Sequence, residues 1–343
     1  MTVKLINKDR FNVFLERLAS GNELVAPIEE DGNIFYRRVT SVNEITLEAD
    51  AFCFAPKGHF FPQYEVLYKY QQGSNALVLE EPGPAGPSVL LGVKPCDARA
   101  LLSLDPVFDG NYKDAYYLDK RVKTTIIGLS CRKVRYNCFC RAFGFGPTSG
   151  EGADLFLTEV KDGYLAEALT SKGEALLKDY SDLFTETGVD GALQEKEQLA
   201  VQLDTQFKRK VDLDGVKARL DNMFEHPYWE RLARKCLTCG ICTFVCPTCH
   251  CFDIIDENGG GSNCGSRLRC WDACMFTDFT LHTSGHNPRP GKKERVRNRF
   301  MHKLKYHLDR YRVTGCVGCG RCIEKCPVNM DIIQVIAEIK EVG

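Results

Sequence analysis

Apolar positions near the start of the chain follow two rhythms. Phe11, Phe14, Leu15 and Leu18 are spaced by threes and fours, which returns each side chain to one face of a helix. Leu24 to Ile28 and Ile34 to Val39 are strand-like and join across Asp31-Gly32, a dipeptide suited to the turn of a hairpin. From Gln71 to Ser88 the chain is rich in Gly and Pro and predicts a loop. Two short apolar runs come next, Val89-Leu90-Leu91-Gly92-Val93 and Thr125-Ile126-Ile127-Gly128-Leu129, the pattern of strands buried on both faces of a sheet. Ala98 to Leu104 between them suits a helix, so this stretch predicts a βαβ unit. Ala153 to Phe184 resumes the α/β character, and Leu193 to Glu230 is charged with helical periodicity. Ile332, Val335, Ile336 and Ile339 form the stripe of a closing amphipathic helix, whose ordinary reading is core packing.

Each of the two buried runs leads directly into a cysteine. Cys96 comes just after the first, in Lys94-Pro95-Cys96-Asp97, and Cys131 just after the second. Parallel neighbouring strands bring both to one sheet edge, where α/β folds place their ligands. Cys138 and Cys140 arrive on the loop beyond, so four thiols are available, the number a cubane cluster needs. A structural zinc site and unconnected buried thiols are the alternatives. Cys53, alone in Ala51-Phe52-Cys53-Phe54, reads as a small core residue.

The chain has 343 residues, a size for two or three domains, and a formal net charge of -1. Bulk electrostatics therefore favour neither nucleic acid nor an anionic membrane surface. Its start, Met-Thr-Val-Lys-Leu-Ile-Asn-Lys-Asp, is no signal peptide, and no apolar stretch is long enough for a membrane span. A soluble cytoplasmic protein is expected. In that reducing compartment eighteen cysteines point to metal sites rather than disulfides, a density that also suits anaerobic metabolism.

Eight of those cysteines stand in two copies of one pattern. Cys236-Leu-Thr-Cys239-Gly-Ile-Cys242-Thr-Phe-Val-Cys246-Pro247 and Cys316-Val-Gly-Cys319-Gly-Arg-Cys322-Ile-Glu-Lys-Cys326-Pro327 both match C-x2-C-x2-C-x3-C-P, the bacterial ferredoxin run. In such runs three thiolates hold one cubane and the fourth reaches the other. The expected ligands are Cys236, Cys239, Cys242 and Cys326 for one 4Fe-4S cluster, and Cys316, Cys319, Cys322 and Cys246 for the second. Gly240, Gly318 and Gly320 are read as making room for backbone beside sulfur, and the prolines as opening helices that leave the site. A pair of zinc knuckles is disfavoured, because zinc has no use for the third thiolate plus C-x3-C-P in each run. The expected architecture is an α/β (or α+β) N-terminal domain over residues 1–190 with a third cluster site. A helical connection over 191–230 then leads to an α-helical ferredoxin-like domain with two 4Fe-4S clusters over 231–343.

The long insert between the runs carries Cys249, Cys251, Cys264, Cys270 and Cys274. Cys264-x5-Cys270-x3-Cys274 resembles the half-motifs of a sirohaem-linked cluster, except that here the halves share Cys270. Non-ligand thiols are the preferred reading, with Cys249, Cys251 and Cys274 kept as possible additional ligands. A basic stretch ends the insert: Arg289, Lys292, Lys293, Arg295, Arg297, Arg299, Lys303, Lys305, Arg310 and Arg312. Its cations suit neutralising cluster charge and docking an acidic redox partner; a solvated helix face is the alternative. No G-x-G-x-x-G stands between strand and helix and no Walker loop occurs, so no flavin or nicotinamide site is expected on this chain. The seven histidines show no H-E-x-x-H pattern, and His250 reads as a packing residue.

Taken together, Gly92-Val-Lys-Pro-Cys96-Asp97, Cys131 with Cys138-Phe-Cys140, Cys246-Pro-Thr-Cys249-His-Cys251-Phe-Asp253, Trp271-Asp-Ala-Cys274, His286-Asn-Pro-Arg289 and Cys316-Val-Gly-Cys-Gly-Arg-Cys322 carry a family resemblance. Across nearly its whole length the chain resembles the family of the sulfhydrogenase beta subunit and the A subunit of anaerobic sulfite reductase. The resemblance implies an iron-sulfur subunit placed between a flavoprotein subunit that handles NAD(P)H and a subunit with the terminal redox site. That site is nickel-iron in the hydrogenase version and sirohaem in the sulfite reductase version; similar chains accompany heterodisulfide-reductase-type complexes. Cys264 and Cys270 depart from the family pattern. The expected role is electron transfer without a substrate pocket. A self-sufficient reductase with substrate at the N-terminal cluster, and an iron-sulfur sensor or scaffold, are the rivals.

Overall fold

Two sheets carry the site, and they are seen in a computed structural model that describes residues 2–48, 54–73, 76–260 and 263–342. In chain order the strands are β1 (Val3–Asn7), β2 (Glu23–Glu30), β3 (Asn33–Arg38), β4 (Tyr64–Gln72), β5 (Leu77–Glu80), β6 (Ser88–Val93), β7 (Thr124–Leu129), β8 (Leu155–Val160), β9 (Gly163–Ala168), β10 (Phe252–Asn258) and β11 (Cys264–Trp271). The larger sheet runs β1-β9-β8-β7-β6-β2-β3, with β2, β6, β7 and β8 parallel at its centre and antiparallel pairs at both edges.

Every residue of β6 is buried, which is why its sequence lacks polar alternation. Val89 and Leu91 face one core with Phe14, Leu18 and Ile127. Leu90 and Val93 face the opposite core with Leu101, Leu104 and Ile126. The helix Lys8–Gly21 buries Phe11, Phe14, Leu15 and Leu18, the four residues its spacing selects. The expected βαβ unit is present: the helix Pro95–Phe108 leaves β6, and β7 pairs parallel to it. The register slips between Leu91 and Val93, where Gly92 takes φ 76°. This bulge bends the strand end just before Cys96.

The second sheet, β10-β11-β4-β5, is antiparallel and takes two strands from each half of the chain. It revises two expectations. The Gly- and Pro-rich stretch from Gln71 holds β5, because Leu77 to Glu80 finds a ladder on the end of β4. The insert, expected to belong to a helical domain, contains the hairpin of β10 and β11. All seven residues of β10 are exposed, so no inside-outside alternation marked it as a strand; pairing through β11 to β4 holds it in place.

Helices Val189–Asp204, Val216–Asp221 and Tyr228–Ala233 follow the larger sheet and precede the first cysteine run. The closing helix Ile332–Val342 buries Ile332, Val335, Ile336 and Ile339 in one core with Trp229, Phe300 and Met301. The prolines after the fourth cysteines begin no helix. The N–H of Cys249 bonds the carbonyl of Cys246 at 3.4 Å, and that of Asn329 the carbonyl of Cys326 at 3.2 Å, so each proline is the second residue of a four-residue turn. Its fixed φ suits that position as well as a helix start. Among the described residues no helix is long and apolar enough to cross a membrane.

Candidate metal centres

The two cysteine runs adopt the same local structure. Each has a one-turn helix, Ile241–Phe244 or Arg321–Glu324, preceded by a glycine in the left-handed region, Gly240 at φ 76° and Gly320 at φ 77°. The middle of each first C-x2-C is also left-handed, with Thr238 at φ 57° and Gly318 at φ 64°. For a β-branched residue this is a strained conformation. It turns the Thr238 N–H onto Cys236 Sγ, 3.3 Å away; in the second run the Gly318 N–H bonds Cys316. The Met330 N–H likewise donates to Cys326 Sγ at 3.2 Å. Amide donors aimed at sulfur favour thiolate and tune a cluster's potential.

The fold brings the distant fourth cysteines to the opposite runs. Cys236, Cys239, Cys242 and Cys326 line one pocket, which Cys322 of the second run also reaches and which Met275, Val296 and Phe300 close. Cys246 is instead the neighbour of Cys316, Cys319 and Cys322. Burial pushes the Cys316 thiol up to about 12 and raises Cys319 and Cys322 as well. Metal binding at such thiols has to displace protons.

The N-terminal cysteines gather at the ends of β6 and β7. Cys131 has Cys96 on one side and Cys140 on the other, and Cys140 also neighbours Cys138. Cys96 in turn neighbours Cys319, so this group adjoins the second ferredoxin run. The Phe139 N–H bonds the Gly318 carbonyl at 2.8 Å. A Cβ on Gly318 would stand 2.5 Å from Cys140 N, and one on Gly320 would press on the Asn137 carbonyl. These glycines therefore admit the 137–140 loop, whereas Gly240 admits the Phe276 ring. The close partner is backbone or ring, where the spacing of the runs had suggested sulfur. Asp97, next to Cys96, holds Arg321 through two bonds of 2.6 and 2.7 Å, and both side chains are buried.

Among the described residues no three His, Cys, Asp or Glu side chains close on a single metal ion. A cubane needs no such closure, since its own bulk spaces its four thiolates. Thiol-only sets are the ligand chemistry that iron-sulfur clusters take. Several cations of the basic stretch are buried beside them. Arg295, Arg297, Arg299 and Lys303 are all less than a tenth exposed, which removes the solvated-face reading for these four. Arg299 donates to the Cys242 carbonyl at 3.1 Å and Lys303 to Thr248 Oγ1 at 2.7 Å.

Sequence reasoning missed Lys57, Asp97 and Arg321. Lys57 is buried and donates to the Cys249 carbonyl at 2.8 Å, from 192 positions away, a contact no local pattern signals. Asp97 and Arg321 lie next to or within cysteine motifs, and an acid beside one motif and a base inside another was a usable hint.

The remaining cysteines divide. Cys249, Cys251 and Cys274 lie with the buried sets. Cys264 and Cys270 sit on β11: Cys264 donates weakly to the Gly259 carbonyl at 3.6 Å, and Cys270 faces Asp253 and Glu257. Among the described residues, acidic side chains and no thiol are the groups that act on Cys270. His250 is held by the Thr248 carbonyl at 3.2 Å and stacks among His302 and His307. Cys53 lies outside the described residues.

Comparison with known proteins bears on the C-terminal runs and on the chain as a whole. The family described as "4Fe-4S dicluster domain" matches residues 235–330, which spans both ferredoxin-type runs. A curated relative, Sulfhydrogenase 2 subunit beta of Pyrococcus furiosus, is 31% identical over 336 residues, covering 98% of this chain and 98% of that protein. No solved structure matches. Aligned end to end with that subunit and bearing a dicluster domain, the chain belongs to the sulfhydrogenase beta-subunit family and is an iron-sulfur subunit of that kind.

Proposed function

We propose that the chain is the electron relay of a multisubunit cytoplasmic oxidoreductase, set between a flavoprotein subunit that handles NAD(P)H and a terminal subunit of hydrogenase, sulfite reductase or heterodisulfide-reductase type. The observation that carries this reading is the order of thiols through the molecule. Cys322, of the set Cys246, Cys316, Cys319 and Cys322, lines the pocket of Cys236, Cys239, Cys242 and Cys326, and Cys319 of the same set neighbours Cys96 of the group Cys96, Cys131, Cys138 and Cys140. The first two sets would hold 4Fe-4S clusters and the last a third. When bound, such clusters change valence by single electrons, with potentials set by burial and by hydrogen bonds to sulfur.

The chain's own residues shape that path. Met275, Val296 and Phe300 keep water from the first set, while exposed Cys239, with exposed Leu237 and Ile241 beside it, offers a partner a short route in. Thr238, Gly318 and Met330 point amides at sulfur. Arg299 and Lys303 offset thiolate charge from inside the fold.

The test is electron flow in the native complex. Cys239→Ala and Cys319→Ala should each remove or convert one cluster and reduce turnover with the cognate partners at least tenfold. Undiminished turnover in both variants sinks the relay. Dithionite-reduced isolated protein that turned over a small acceptor would instead favour a self-sufficient reductase. Partner binding that tracked cluster state without catalytic flux would favour a sensor or scaffold.

A further inference from the structure

One buried ion pair stands where the N-terminal thiols meet the second ferredoxin-type run. Asp97 follows Cys96 directly in the chain, and Arg321 lies between Cys319 and Cys322. The Asp97 carboxylate accepts two bonds from the Arg321 guanidinium, at 2.6 and 2.7 Å, across 224 positions of chain. Ala100, Cys140, Phe145 and Val317 form a small apolar core, and both Cys96 and Cys319 pack against it. Tyr36 adjoins the pair: its hydroxyl donates to the Gly92 carbonyl at 3.1 Å, and Asp97, Arg321 and Cys96 are its neighbours.

A pair drawn from two motifs has a direction. Its negative end belongs to the N-terminal thiol group and its positive end to the second run. At Cys96 the carboxylate acts more strongly than the guanidinium, and at Cys319 the order is reversed. Both side chains are buried, and fixed charges in an apolar surround are screened far less than in water. Arg135 also reaches this run, donating to the Cys319 carbonyl at 3.3 Å, but it pairs with Glu324 in a partly exposed site where solvent weakens its field. A clamp between two segments would hold equally well with acid and base exchanged. A field would not.

We infer that Asp97 and Arg321 form an oriented dipole that lowers the reduction potential on the Cys96 side and raises it on the Cys319 side, so that an electron shared by the two sites resides preferentially on the second run. The step it biases is the passage of one electron from the N-terminal site, which is oxidised, to the second run, which is reduced; no bond or proton changes place. Asp97 and Arg321 are positioning residues here, acting through charge and not as ligands. The inference rests on the reading of Cys96, Cys131, Cys138 and Cys140 as a cluster site.

The test is a potentiometric titration of the anaerobically purified holoprotein followed by low-temperature magnetic resonance, with Cys138→Ala and Cys319→Ala identifying the two signals. Asp97→Asn should raise the N-terminal midpoint more than that of the second run, and Arg321→Gln should lower the second midpoint more than the N-terminal one. If either variant fails to fold, Asp97→Leu/Arg321→Met, which removes both charges, decides. In it the difference between the midpoints, second run minus N-terminal, should fall by about 59 mV or more, which is a tenfold change in where the electron resides. Arg321→Lys, which keeps the charge, should retain most of the difference. Midpoints that stay in place, or that move by equal amounts, overturn the inference. An equal loss of the difference in Glu65→Gln, which breaks the buried pair with Arg269 in the second sheet, overturns it too. Wild-type protein without a signal that Cys138→Ala removes would bring down the N-terminal cluster itself, and the dipole's role with it.

Discussion

At the scale of single residues, the cysteines supply ligands but glycines and protons decide whether those ligands work. Gly320 adopts φ 77° and a Cβ there would press on the Asn137 carbonyl. Gly320→Ala should therefore cost more than about 1 kcal/mol and lower the midpoint of thermal bleaching of the holoprotein; an unchanged midpoint would show that the 137–140 loop yields freely. Protons act through burial. Burial pushes the Cys316 thiol up to about 12, which favours the protonated form in the apoprotein. Each iron-sulfur bond there must expel a proton, so cluster uptake becomes less favourable as pH falls. Reconstitution monitored by absorbance should yield more cluster at about pH 9 than at about pH 7, and a flat profile would mean that these thiols are already ionised. Of these details the sequence displayed the cysteine spacing and the presence of glycines. It did not display what each glycine faces, because Asn137 and Phe276 reach them from remote segments.

At the scale of elements, the junction between the β6 strand end and the second ferredoxin run is held by one buried ion pair. Asp97 lies in the first turn of the helix Pro95–Phe108 and Arg321 starts the helix Arg321–Glu324, with their side chains 0 and 4% exposed. Removing one partner strands the other charge in the interior. Asp97→Ala should destabilise the junction by about 3–5 kcal/mol in chemical denaturation, and Asp97→Leu/Arg321→Met should recover much of the loss. If the single variant cost less than about 1 kcal/mol, water would have to reach Arg321. The same elements show why secondary structure was only partly legible. β6 and β7 declare themselves as unbroken apolar runs because both faces are covered. β5 and β10 do not, since their residues are exposed and their strand geometry comes from a partner's hydrogen bonds.

At the scale of the whole molecule, the proposed clusters and the sheet core are different sources of stability. The larger sheet rests on apolar burial by residues such as Leu90, Leu91, Ile127 and Leu155. The C-terminal part draws Cys326 to Cys236 and Cys246 to Cys316, so metal would bind distant stretches together. Anaerobic removal of iron by a chelator should abolish hydrogen-exchange protection in the helix Ile332–Val342 while β6 and β7 stay protected. Equal loss in both regions would mean that the chain folds as one metal-dependent unit. By itself the sequence determined the ligand chemistry, because C-x2-C-x2-C-x3-C-P is a local pattern whose thiolates come from spacing alone. It also determined the parallel strands, whose apolar runs are local too. Only the tertiary structure decided that the N-terminal thiols adjoin Cys319, that Lys57 reaches the insert and that Cys249, Cys251 and Cys274 share one buried, cation-rich space. Those contacts join residues far apart in the chain, where side-chain burial and not neighbouring sequence sets what meets.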